Sequence, residues 1–191
     1  MERRIALKNI GKAFGFAVAT PTVLSILESC GSVDTASWTP AYFTAEEGSF
    51  LTKAVDVLLP KTDTPSASEV NVHVFMDKLI AETYNEEAKA RVRKGFDAFT
   101  AAILSISGAS SLASVSEAQI DEAYQALYGE RTDAIDAEAY GFAGQFRGMV
   151  IDAYKSSEYV GENVLAYLPV PGEYIPCDDL DTLTGGVAWA E

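Results

Sequence analysis

Three side chains of the types that most often carry out chemistry stand out in this sequence: one histidine, His73, and two cysteines, Cys30 and Cys177. A histidine can act as a general acid or base, or as a metal ligand. A hydrolytic triad would also need a serine on a sharp strand-to-helix elbow, and the sequence contains no such motif. Asp77 follows His73 by four residues, so the two side chains could meet on one helix face. The simpler interpretation is a helical histidine that packs or hydrogen-bonds, and an enzyme that uses His73 is the alternative.

The sequence contains no pattern for a resident cofactor or metal. No Gly-rich dinucleotide fingerprint follows a strand, and no Cys-x-x-Cys-His sequence could attach c-type haem. One histidine and two cysteines cannot build a transition-metal site unless carboxylates supply nearly all the ligands. Asp178, Asp179 and Asp181 could bind calcium, but their spacing is not that of an EF-hand loop, and a solvated acidic turn explains them. We therefore predict no catalytic, cofactor-binding or metal-binding residues in this chain.

The first thirty residues have the layout of a bacterial export signal. A basic start precedes a mildly apolar stretch at 14–27, which is too short and too interrupted by Gly and Pro for a membrane span. The pair Arg3 and Arg4, followed by Leu7 and Lys8, resembles the twin-arginine export motif. A receptor reads that motif, so we predict that these four residues direct export.

The export signal ends in a sequence that resembles a bacterial lipobox, Leu27-Glu28-Ser29-Cys30. We therefore predict a twin-arginine-type lipoprotein signal peptide at 1–29 and lipid attachment at Cys30. An unlipidated cysteine near an ordinary cleavage site is the alternative. Small and polar residues follow, which predicts a tether at 30–43 between the lipid anchor and a helical domain at 44–191.

The charge of the chain argues against two classes of partner. It carries 14 basic and 28 acidic side chains, a formal net charge of −14. Without the first 29 residues, 10 basic and 26 acidic side chains remain on 162 residues. Nucleic-acid binding depends mainly on Lys and Arg that neutralise phosphates, so this composition argues against it. It also argues against direct binding to an anionic membrane surface.

The domain is predicted to be all-α, a single small domain of about five helices with an irregular C-terminal segment. Two capping boxes, Thr44 with Glu47 and Ser116 with Gln119, mark helix starts. Apolar residues recur at steps of three and four, which is typical of amphipathic helices, and no stretch alternates as a strand does. The helices are predicted to begin near Thr44, Val70, Asn85, Ser116 and Asp136, and the chain is predicted to be irregular from Ser156.

Several stretches resemble the family of gluconate 2-dehydrogenase subunit 3. The most specific is the run Leu-Pro-x-Thr-Asp-Thr-Pro, followed shortly by Val-x-x-Phe-Met-Asp. The resemblance extends over most of the chain after the export signal. The stretches that carry it are the twin-arginine start, Phe43 to Glu47, Val57 to Ala67, Val70 to Asp77 and Tyr167 to Tyr174.

This resemblance implies a non-catalytic small subunit of a membrane-associated dehydrogenase complex. The implied partner is a large FAD-dependent flavoprotein of the glucose-methanol-choline class, which oxidises a sugar, sugar acid or polyol. A cytochrome subunit with c-type haem is the implied electron acceptor. The small subunit itself carries no known cofactor, and it aids export and assembly of the flavoprotein.

The resemblance also explains the start of the chain. The twin-arginine route moves folded proteins, and a flavoprotein must fold around its cofactor before export. A flavoprotein without its own signal could cross as a complex with this chain, which would then be periplasmic and lipid-anchored. The alternative is a protein of a different functional class, a free-standing helical envelope lipoprotein that acts as a protein-binding module.

The C-terminal segment is rich in aromatic residues and proline but follows the last predicted long helix. Proline stiffens the chain and lowers the ordering entropy lost on docking, and tyrosines are favoured at interface hot spots. We therefore predict partner contacts at Tyr167, Pro169, Pro171, Gly172 and Tyr174. The alternative is a segment that packs along its own helices and closes the core.

Overall fold

The computed structural model describes residues 38–167, 172, 177 and 179–190. The account below concerns the unit that spans 39–191. The predicted signal peptide, with Arg3, Arg4, Leu7, Lys8 and the lipid-attachment residue Cys30, lies outside the described residues.

Within the described ranges, every regular element is helical, which confirms the all-α prediction. Five long helices are followed by two short ones, and a single 3₁₀ turn lies at Leu112–Ser114. The two short helices fall in the segment predicted to be irregular, where no long apolar period indicates a helix. The helices are α1 (Ala45–Leu58), α2 (Val72–Thr83), α3 (Glu86–Ser107), α4 (Glu117–Tyr128), α5 (Ala137–Lys155), α6 (Glu158–Asn163) and α7 (Leu180–Thr184).

Capping contacts confirm four of the five predicted helix starts, while α2 begins at Val72, after Asn71, without a side-chain cap. The Thr44 hydroxyl accepts the Glu47 N–H, and the Glu47 carboxylate accepts the Thr44 N–H, so the first capping box is complete. Ser116 and Gln119 form the second. Asn85 caps α3 with its side-chain oxygen. These contacts are local in sequence, which is why the residue types alone predict them.

Helix α5 organises the domain, because it contacts each of the other four long helices. Its rings Phe142 and Phe146 pack against Phe96 and Phe99 of α3, with Phe50 of α1 completing the cluster. Neighbouring ring centroids in this cluster lie between 5.4 and 6.5 Å apart. Burying one such ring contributes about 1.5–3 kcal/mol relative to exposure, so the cluster is a principal source of stability.

One glycine of α3 lies directly against an aromatic ring of α5. The spacing of Gly141, Gly144 and Gly148 predicts close approach to α5, but a Cβ at any of the three would meet no atom within 4 Å. A Cβ at Gly95 would instead lie 2.4 Å from Cδ2 of Phe142. The glycine that α5 requires for close packing is therefore on the neighbouring helix α3.

Alanine substitutions at two of these glycines are expected to have opposite effects on stability. Gly95→Ala forces the Phe142 ring out of the aromatic cluster, and overpacking of this kind costs about 1–3 kcal/mol. Gly141→Ala meets open space and gains helix propensity, which stabilises by up to about 1 kcal/mol. Urea denaturation of both variants measures the difference. Equal shifts in the two free energies of unfolding would show that α3 and α5 do not pack closely at Gly95.

Candidate functional site

His73 lies inside the domain and is only 1% exposed. Burial lowers the pKa of the His73 imidazole, and the charge of Asp56 opposes this shift only in part. The ring is therefore neutral at neutral pH. Asp77, which the sequence places one turn later on the same helix, is also fully buried. A buried neutral ring fits a packing role better than an exchange of protons with a substrate.

The Asp77 carboxylate holds the segment that leads into the first helix. It accepts three backbone hydrogen bonds: from Ala41 N–H to Oδ2 at 2.7 Å, and from Tyr42 N–H and Phe43 N–H to Oδ1 at 2.9 and 3.1 Å. Charge-assisted bonds of this kind are roughly twice as strong as neutral ones. Residues 41–43, which lie in the predicted tether, are therefore fixed to α2. Sequence reasoning missed this role, and the only hint was an aspartate inside an apolar run.

A second set of contacts secures the same segment against α3. The Tyr42 hydroxyl donates to the Lys89 carbonyl at 2.7 Å, and the Phe43 ring lies 4.8 Å from that of Phe96. Arg93 donates two hydrogen bonds to Glu47, at 2.9 and 3.2 Å. We call residues 41–47, with Asp77 and Arg93, the N-terminal junction.

Hydrogen bonds and ion pairs within the N-terminal junction favour the ionised forms of Glu47 and Arg93. Burial acts against ionisation of Glu47, but hydrogen bonds from Thr44 and Arg93 lower its pKa overall. Burial likewise acts against the Arg93 guanidinium, and Glu47 with Asp97 more than compensates, so the pKa of Arg93 is raised. The Arg93 guanidinium also lies 4.9 Å above the Phe96 ring, a cation–π contact. The N-terminal junction thus fixes the chain at residues 41–43 to α2 and α3.

The Leu-Pro-x-Thr-Asp-Thr-Pro run forms an ordered loop between α1 and α2. The Tyr154 hydroxyl of α5 contacts this loop, at 2.8 Å from the Pro65 carbonyl oxygen and 3.1 Å from the Thr64 hydroxyl. Asp56 accepts hydrogen bonds from both the backbone and the hydroxyl of Ser68. The run that carries the resemblance most specifically is therefore held against α5, and the loop that contains it is held to α1.

An open groove of about 740 Å³ lies between α3 and α5. Its volume is in the range of small-molecule sites. Lys94 and Glu138 pair across it at 2.8 Å, and Arg91 on its rim pairs with Glu87 at 3.2 Å. Both cations of this groove are therefore already engaged with carboxylates.

Exposed apolar side chains concentrate near the C-terminus. The chain returns on itself there: Ala166 N–H donates to the Ala188 carbonyl at 2.8 Å, and Ala190 N–H donates to the Ala166 carbonyl at 2.9 Å. We call residues 166–190 the C-terminal loop. Of the seven large apolar side chains exposed in the described ranges, the loop carries four, which are Tyr167, Leu180, Val187 and Trp189.

The structure describes two of the five predicted partner-contact residues. Tyr167 is 59% exposed, and Gly172 is also exposed with a left-handed φ of +78°. Pro169, Pro171 and Tyr174 lie outside the described residues. No described residue beyond Ala166 is buried, so this part of the segment does not close the core. Sequence reasoning missed Leu180, Val187 and Trp189, because the bridge that pairs Trp189 with Ala166 is a long-range contact.

Three further properties bear on binding. Within the described ranges, no three His, Cys, Asp or Glu side chains are grouped so that they could hold a metal ion. The Cys177 thiol is free and exposed. Among the same residues, no helix combines the length and the apolar character needed to cross a membrane.

Comparison with known proteins identifies the family. The family model described as gluconate 2-dehydrogenase subunit 3 matches residues 45–172. The match runs from α1 through the first limb of the C-terminal loop, including Tyr167 and Gly172. Neither the curated proteins nor the solved structures gave a significant match. Since the family match covers two thirds of the chain, the chain belongs to the gluconate 2-dehydrogenase subunit 3 family.

Proposed function

We propose that this chain is the non-catalytic small subunit of a periplasmic FAD-dependent dehydrogenase complex. The observation that carries the proposal is the family match over 45–172, since the family is that of a subunit of gluconate 2-dehydrogenase. The large subunit is a flavoprotein of the glucose-methanol-choline class that oxidises a sugar, sugar acid or polyol. A cytochrome with c-type haem takes the electrons. Burial of His73 supports a chain that contributes no catalytic group of its own.

The role of the chain is to export, assemble and attach the flavoprotein. The twin-arginine residues Arg3, Arg4, Leu7 and Lys8 direct a folded complex out of the cytoplasm. After processing, a lipid on Cys30 keeps the chain at the membrane. Stable anchoring takes more than one acyl chain, which a mature bacterial lipoprotein supplies. The N-terminal junction supports this role, because Asp77 of α2 and Lys89 of α3 hold the end of the tether through hydrogen bonds.

The flavoprotein binds at the C-terminal segment. Tyr167 and Gly172 are exposed, and the proposed contact continues through Pro169, Pro171 and Tyr174. A large exposed aromatic such as Tyr167 supplies contact area at low cost in conformational entropy. A free-standing envelope lipoprotein that binds an unrelated partner is the second candidate, since exposed apolar residues alone would serve it equally well.

Purification from native membranes tests the proposal. A tagged full-length chain, solubilised in detergent, is expected to bring down a flavin-containing protein in stoichiometric amount. Mass spectrometry of the purified chain is expected to show an N-terminus at Cys30 with acyl chains attached. Recovery of a partner that contains no flavin would favour the free-standing lipoprotein. An unmodified Cys30 would remove the lipid anchor from the proposal.

A further inference from the structure

The C-terminal loop presents apolar side chains that are exposed in the described part of the chain. Its first limb begins at Ala166, and its returning limb comprises residues 179–190. The two limbs meet at the bridge between Ala166 and Trp189, next to Tyr167 in sequence. On the returning limb, Leu180 is 55% exposed, Val187 40% and Trp189 42%. The returning limb lies beyond residue 172, where the family match ends.

The charge of this segment is one-sided. Residues 167–191 contain no Lys, Arg or His, and their acidic residues are Glu173, Asp178, Asp179, Asp181 and Glu191. Asp179 and Asp181 are exposed beside Leu180 at the start of α7. Apolar anchors are thus interspersed with negative charge alone. The surface that complements this pattern is apolar at its centre and carries Lys and Arg at its rim.

We propose that the returning limb of the C-terminal loop, through Leu180, Val187 and Trp189, is a second docking surface for a basic-rimmed apolar face of the large dehydrogenase subunit. This proposal rests on the proposed function and adds to it residues outside the family match. The bridge holds the two limbs together, so both contact the partner as one surface. Because the bridge already restrains the loop in the free chain, less conformational entropy is lost on docking.

Charge distinguishes three occupants of this surface: a second copy of the chain, an anionic lipid surface and a protein face with a basic rim. Two copies of the chain would bring two segments together that are both purely acidic, and like charges across an interface are unfavourable. An anionic lipid surface attracts basic segments and repels this one. The same charges favour binding to a protein face with a basic rim, because they raise the association rate and fix how the two proteins align.

The experiment compares two variants of the full-length lipidated chain with the wild type. The apolar variant carries Leu180→Ser, Val187→Ser and Trp189→Ser, and Ile151→Ser is the matched control on α5, where Ile151 is 39% exposed. We expect the apolar variant to retain at least tenfold less flavoprotein at a fixed protein concentration, because buried aromatic and aliphatic anchors dominate interface energies. Ile151→Ser should retain the wild-type amount. Thermal unfolding of all chains should coincide, because the substituted side chains are exposed.

A second variant tests the charge without altering the apolar anchors. It carries Asp178→Asn, Asp179→Asn and Asp181→Asn, and Asn preserves the capping role of Asp179 at α7. We expect slower association with the flavoprotein and a flatter dependence on salt concentration. If the apolar variant proves unstable, this variant decides the proposal by itself.

Four outcomes would overturn the proposal. Wild-type retention of flavoprotein by both variants would reject the second docking surface and leave the proposed function intact. Failure of the wild type to retain any flavoprotein would reject both. A wild-type dimer that the apolar substitutions convert to monomer would identify a second copy as the occupant. Binding to phosphatidylglycerol vesicles that the apolar substitutions abolish would identify a lipid surface.

Discussion

A chain with Arg3→Lys and Arg4→Lys is expected to remain in the cytoplasm and to leave its flavoprotein partner there too. The substitutions keep both positive charges, so any route that depends on basic charge alone would still operate. The twin-arginine route depends on recognition of the arginine pair by a receptor, and lysine does not replace it. Because the partner is proposed to cross as a folded complex with this chain, we expect nearly complete loss of both proteins from the periplasm.

Cell fractionation with quantification of this chain and of flavin measures the effect. Lys12→Arg is the matched control, since it exchanges the same two residue types within the signal but outside the motif; export should be normal. Full export of the doubly substituted chain would contradict a twin-arginine signal. Normal arrival of the flavoprotein while this chain stays behind would contradict the carrier role and leave membership of the complex unaffected.

Features of the fold that depend on neighbours in sequence could be predicted from the residues. Thr44, Asn85 and Ser116 are N-caps because short polar side chains accept the free N–H groups of the first turn, and each does so within three residues. The apolar stripe of α3 is buried as its spacing indicates, with Phe96, Phe99 and Ile103 fully inaccessible to solvent. Local chemistry therefore determined where α1, α3 and α4 begin, whereas α2 begins after Asn71 without a side-chain cap.

Features that join distant parts of the chain could not be predicted in this way. Spacing identified glycines on α5, but the close approach occurs at Gly95, because which helix faces a glycine depends on how the helices pack. The Ala166–Trp189 bridge joins residues more than twenty positions apart, and no local pattern indicates it. Asp77 was interpreted as a neighbour of His73, whereas its carboxylate accepts N–H groups that lie 34 to 36 residues earlier.

Loss of the Asp77 carboxylate is expected to be strongly destabilising. Asp77→Ala leaves three N–H groups without an acceptor, and a buried unsatisfied donor costs about 1–3 kcal/mol. The Phe43 bond is buried, while the Ala41 and Tyr42 bonds are partly buried, so those two donors regain water in part. We therefore expect a total loss of about 3 kcal/mol, equivalent to about 6–12 °C in Tm for a domain of this size.

Asp77→Asn distinguishes the loss of one hydrogen-bond acceptor from the loss of the whole side chain, because Asn has nearly the same size as Asp. Oδ1 can still accept from Tyr42 and Phe43, but an amide group replaces Oδ2 and presents a donor to the Ala41 N–H. The loss should be about half that of Asp77→Ala. Asp152→Ala on exposed α5 surface is the matched control, and its stability should change by no more than about 0.5 kcal/mol.

Hydrogen exchange at residues 41–43 distinguishes a loosened junction from a generally weakened domain. If Asp77 acts mainly on the N-terminal junction, Asp77→Ala should raise the exchange rates at residues 41–43 more than those in α3. Asp77 makes no hydrogen bond to the α3 core residues Phe96 and Phe99. If all amides instead accelerate in proportion, Asp77 supports the core as a whole and the N-terminal junction is not a distinct unit. A selectively loosened junction should leave binding of the flavoprotein at the C-terminal loop unchanged, because that surface is held by a bridge of its own.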